Sequence, residues 1–143
     1  MINSIYGKLK LYTVYFGAFC TTGCYNSVLV DVDGSKDFLK FHIGADVEKS
    51  KEFCVEGADV FDNNNVYYWS IYRDFGKCLK QSDIYYGKIP LGFYQLKPIL
   101  PLKDGVLYFF HVHGSNVDGG AKFEWHDGKL VSGPMLGGKL PVG

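Results

Sequence analysis

The chain has 143 residues, 47% apolar and 21% charged, which is enough to bury one core and too apolar for a disordered chain. Fifteen Lys+Arg offset fifteen Asp+Glu, and a formal charge of zero gives no footprint for nucleic acid or an anionic membrane surface. The longest mostly apolar stretch, 12–20, is about half of the ~20 residues that span a bilayer, and Met1-Ile-Asn-Ser4 lacks both a basic and an apolar signal region. The expectation is a soluble chain that is not secreted by a signal peptide, in a virion or a host cytoplasm.

Eleven Phe, eleven Tyr and two Trp stand beside 18 Gly and only 5 Pro, a mixture that suits short strands joined by tight turns. In chain order, strands are predicted near 4–19, 26–32, 37–43, 66–73, 83–88, 92–97, 105–113, 121–126 and 129–132. The fold class is all-β, mainly an antiparallel sandwich or barrel, with at most one or two short helices. Asp33-Gly34, Asp104-Gly105 and Asp127-Gly128 read as hairpin tips, because this dipeptide accepts the positive φ angles of a type I′ turn. The first would set Asp31 opposite Lys36, and the third Trp125 opposite Leu130.

Helix is expected over 46–54, with Asp46 as N-cap and Glu48 in the first turn. The segment 70–80 is ambiguous, with Ile71, Phe75, Cys78 and Leu79 at helical spacing but a strand-like run before it. Residues 1–131 form one β-rich domain, and 132–143 hold too much Gly and Pro for a strand interior and read as a C-terminal arm. Cys20, Cys24, Cys54 and Cys78 are expected to be thiols in a reducing compartment.

His111-Val-His113, followed by Glu124-Trp-His126, is the most specific local pattern. Alternate residues of a strand share a face, so His111 and His113 project together, and an antiparallel neighbour would bring His126 and Glu124 alongside. Three imidazoles suit a divalent metal with one position left for water, and Glu124 or Asp118 would then be the general base. No other cofactor is expected. The simpler reading is a polar outer face behind the apolar set Val106, Tyr108, Phe110 and Val112.

Gly105, with His111 and His113 after it, resembles the opening of the first cupin motif over nine residues. The family would imply a metal-holding barrel, and its second motif, with a further histidine downstream, is absent. His-x-His pairs of trimeric phage fibre tips are similar over an equally short stretch.

Tyr67, Tyr68, Trp69, Tyr72, Tyr85, Tyr86 and Tyr94 are a second concentration. A core this small cannot enclose every ring, and outward aromatics would meet a partner protein or a glycan. The leading expectation is a non-enzymatic structural or assembly protein of a virion: a tail, neck, fibre-associated or capsid-decorating subunit. It would contact copies of itself or other virion subunits, with no nucleic acid and no membrane. A basic set that is almost all lysine, with Arg73 alone, fits an AT-rich phage genome. The alternatives are a metal-binding β-domain or metalloenzyme using His111, His113 and His126, and a small intracellular phage protein that binds and antagonises a host factor.

Overall fold

The computed structural model describes residues 27–47 and 53–135. They form nine strands: β1 (Ser27–Ser35), β2 (Phe38–Ile43), β3 (Val55–Asp62), β4 (Tyr67–Arg73), β5 (Asp83–Tyr85), β6 (Phe93–Lys97), β7 (Tyr108–Gly114), β8 (Asp118–His126) and β9 (Lys129–Pro134). Among the described residues there is no helix. The strands make one sheet in the order β5-β2-β1-β8-β7-β3-β4-β6, with β9 also paired to β8. Every pairing is antiparallel except β1 with β8.

The sheet curls into a half-barrel around its apolar face. Phe41 on β2 stacks on Phe110 on β7 with ring centroids 3.8 Å apart. Two strands separate β2 from β7 in the ladder, so this contact crosses the interior rather than the sheet surface. Alternation sends Tyr108, Phe110 and Val112 of β7 and Ala121, Phe123 and Trp125 of β8 inward, where they are buried with Trp69, Ile71 and Leu39. The two terminal strands of the ladder, β5 and β6, do not pair with each other. The phenol of Tyr86 bridges that seam, donating to the Leu100 carbonyl at 2.6 Å, while the Leu100 N–H donates to the Tyr68 carbonyl at 2.8 Å.

Asp127 and Gly128 take φ of 50° and 73° at the β8–β9 tip, and Trp125 faces Leu130 as predicted. The first turn differs. β1 runs on through Asp33 and Gly34, Ser35 closes against Phe38, and Asp31 lies opposite His42 instead of Lys36. The tip is Lys36-Asp37, and Gly34 spends its φ of 110° just before it. Asp104-Gly105 is a turn leading into β7, tied by the Gly105 N–H to the Trp125 carbonyl at 2.9 Å, and it joins no adjacent strand pair.

Other expectations change. Residues 70–73 belong to β4, and 74–76 form a turn rather than a helix. The 46–54 helix falls mostly outside the described residues, as does the strand 4–19; Asp46 itself sits in a turn, where its carboxylate accepts the Leu29 N–H at 2.9 Å. β9 extends through Ser132, Gly133 and Pro134 into the segment read as an arm, and Pro134 is tolerated because it ends the strand. Residues 136–143 lie outside the description. Cys54 and Cys78 are not thiols but a disulfide, with Cα atoms 5.0 Å apart. Beside it Val55 and Leu79 exchange two backbone hydrogen bonds of 3.1 and 3.0 Å, which bring the sulfurs together.

Candidate functional site

The outer face of the central strands carries the titratable groups. Asp59 of β3 is in register with Ser70 of β4 and His111 of β7. One step along, Gly57 lines up with Tyr72 and His113, and His113 with Asp118 of β8. Register partners share a face, so these side chains project together away from the core.

The carboxylates sort the histidines into two neighbouring pairs. His111 Nε2 lies 2.8 Å from Asp118 Oδ1, and His113 Nε2 lies 3.7 Å from Asp59 Oδ2. The two rings are stacked with centroids 5.5 Å apart, and Tyr72 flanks His113 at 6.0 Å. Gly57 makes this packing feasible, because a Cβ there would come within 2.5 Å of the His113 ring. Burial holds His113 below the usual imidazole range, the Asp59 charge opposes that shift, and His111 adds to it.

These groups can exchange protons, but they do not form a nucleophile and base. The Ser70 hydroxyl is buried and donates to Asp59 rather than to an imidazole, so the serine–histidine pair of a catalytic triad is not formed here. His126 stands apart from the proposed trio: on β8 it is six residues beyond Gly120, the partner of His111, which is roughly 20 Å along the strand. It is exposed and paired with Glu124 at 3.0 Å. Among the described residues no three His, Cys, Asp or Glu are grouped to hold a metal.

Sequence reasoning missed Asp59, which lies on a strand it did not predict. It also missed His42, which pairs with Asp83 at 2.6 Å across β2 and β5. Each of the four histidines in the chain therefore stands beside a carboxylate.

The aromatic set divides. Tyr68 and Trp69 are both interior, because the pairing of β3 with β4 shifts between Val60 and Phe61 and an extra residue turns inward. Neither presents a ring to a partner. Tyr72, Tyr85 and Tyr86 are half-buried, and burial raises the Tyr86 phenol pKa well above its ordinary value. Tyr67 and Tyr94 are exposed.

Around Tyr94 the surface is more apolar than the tyrosines alone indicated. Ile89, Leu91, Leu96, Ile99 and Leu100 are all exposed on β6 and the loops on either side of it. Beneath that flank a cavity of about 440 Å³ opens between Tyr86, the 99–102 segment and the β1–β2 turn. The β6 edge itself is poorly shaped for adding a strand: its register shifts opposite Ser70 and Ile71, and Pro90 and Pro98 lie on either side.

No family model, no curated protein and no solved structure matches this chain. Its chemistry has to be read from these surfaces.

Proposed function

We propose that the chain is a non-enzymatic assembly module whose copies associate through the β6 flank. The observation that carries this reading is the run of exposed apolar side chains from Ile89 to Leu100 on one strand and its two loops. An apolar surface of this kind in water is stabilised by a cover. The neutral chain has no field to attract a strongly charged partner, and a second copy offers the same apolar flank for a twofold contact. The blunted edge favours side-chain packing over β-augmentation. A dimer of this kind suits a virion subunit, the setting that the lysine bias favours.

Light scattering on the purified chain over a wide concentration range tests this. A dimer or larger species is expected, reduced to a monomer by Leu96→Asp with Ile99→Asp. Both positions are exposed, so the variant keeps its fold, which the near-ultraviolet dichroism of the buried Trp69 and Trp125 verifies. A wild-type chain that stays monomeric at high concentration overturns the reading.

A further inference from the structure

Burial of an indole normally comes with an acceptor for its N–H, because a donor left dry and unpaired loses its hydration with nothing in return. Trp69 departs from that rule. Its side chain is fully buried, and its Nε1 is the one buried side-chain polar atom among the described residues with no hydrogen-bond partner. The buried phenol of Tyr108, by contrast, accepts the Lys103 N–H at 2.8 Å. An enclosed donor that the folded chain does not satisfy is suited to an acceptor brought in from outside.

Tyr86 stands between that donor and open space. Its ring packs edge to face on the Trp69 indole, with centroids 5.6 Å apart, and also lines the cavity of about 440 Å³ at the β5–β6 seam. Such a volume falls within the range of small-molecule pockets, about 300–1,000 Å³. Ile99, Leu100, Pro101 and Leu102 supply the apolar lining. Tyr86 follows β5, and its phenol is held by the carbonyls of Leu100 at 2.6 Å and Tyr68 at 3.1 Å, which share one hydroxyl hydrogen. Rotation of this side chain leaves the 99–102 segment tied, because the Leu100 N–H keeps its own bond to the Tyr68 carbonyl. Trp69, Tyr86, Pro101 and Leu102 take no part in the β6 flank; Ile99 and Leu100 belong to both.

We propose that the cavity is the mouth of a binding site for a small uncharged molecule with an apolar body and one carbonyl- or ether-type oxygen, the Tyr86 ring being its gate and the Trp69 N–H its buried donor. The rim selects against charge. Lys36 is already paired with Asp104, so an anionic head group would meet the Asp37 carboxylate with that ammonium group engaged elsewhere. An ammonium ligand would have no lone pair to offer the indole. The apolar body leaves water for the walls of the 99–102 segment, and its oxygen reaches the indole once Tyr86 swings aside. The site is independent of how copies associate.

Prodan, an uncharged naphthalene ketone whose emission moves to the blue in apolar surroundings, tests the site on the full chain. Saturable binding with a blue shift is expected. Trp69→Phe keeps an aromatic ring and removes the donor, and it should weaken binding by about fivefold. Tyr86→Phe unpins the gate and should speed both binding and release in stopped flow. Leu91→Asp with Leu96→Asp alters the flank without touching the cavity lining and should bind as wild type does. Nonan-2-one gives a second measurement on the unaltered protein: of the two indole N–H resonances, that of Trp69 should move downfield as it gains an acceptor. A chain that does not bind Prodan saturably, a signal that follows the flank substitutions, unchanged affinity in Trp69→Phe, or a Trp69 resonance unmoved by the ketone overturns the proposal. None of these results alters the light-scattering test of association.

Discussion

Replacing both Cys54 and Cys78 by Ala removes a cross-link that spans 24 residues. A loop of that length, closed in the unfolded chain, lowers its conformational entropy by an amount equivalent to about 3 kcal/mol at room temperature. The effect lies mainly in the unfolded state, since the Val55–Leu79 hydrogen bonds still hold the two segments together in the native one. The fold should therefore survive the substitution and be weaker. Urea unfolding followed by the fluorescence of the buried Trp69 and Trp125 measures the loss. With a slope of about 1–3 kcal/mol per molar, the midpoint should fall by roughly 1–3 M, and the melting temperature by roughly 10–15 °C. Reductant should reproduce the shift in the wild-type chain and have no such effect on the double variant. Coincident unfolding curves for wild type and variant would refute the reasoning, because the bond would then be absent or without influence on the unfolded chain.

His113 titrates below its ordinary 6.5 because burial disfavours the imidazolium. Its neutral form therefore contributes stability that is complete above 6.5 and lost as pH falls through the lower folded value. His113→Gln should flatten this part of the acid limb in urea midpoints taken between about pH 7.5 and 4.5; a variant as acid-sensitive as wild type would count against it. Gly57→Ala should force the His113 ring aside, so that the His113 resonances of the variant move and their titration approaches that of an exposed imidazole. Phe110→Ala empties one half of the cross-barrel stack and should lower stability by about 3–5 kcal/mol in the same urea assay. A loss under about 1 kcal/mol would mean that the interior collapses to fill the space.

Most strands were legible because they obey a period of two: β7 alternates buried and half-buried positions, β8 alternates polar and aromatic side chains from Lys122 to His126, and the Asp127-Gly128 turn has the chemistry of its conformation. β3 was not. Its sequence, Val55-Glu-Gly-Ala-Asp-Val-Phe-Asp62, carries three carboxylates and a glycine, a composition depleted in strands, yet it lies inside the ladder between β4 and β7. Glu56 falls where its register against β7 shifts, which breaks the alternation, and Arg73 pairs with it at 2.9 Å. Asp62 turns back to accept the N–H groups of Asn64 and Val66. Glu56 and Asp59 thus have partners that only the folded chain supplies, and Asp62 has a local turn. The same omission hid Asp59, whereas the separation of His126 from His111 and His113 follows from the β7–β8 register, which sets Gly120 opposite His111. The Tyr68-Trp69 step misled for a related reason, since a shifted register sends neighbouring side chains to the same side.

The seam between β5 and β6 is closed by a single phenol and one amide rather than by a ladder of backbone pairs. Opening it breaks the bonds made by Tyr86 and Leu100, whereas opening β7 would disrupt pairs with β3 and β8 at once. Deuterium should therefore enter the amides of 86–103 long before those of 108–114, as in a cask whose last stave is held by one peg. Evolution or an engineer wishing to lengthen this protein would meet the least resistance there.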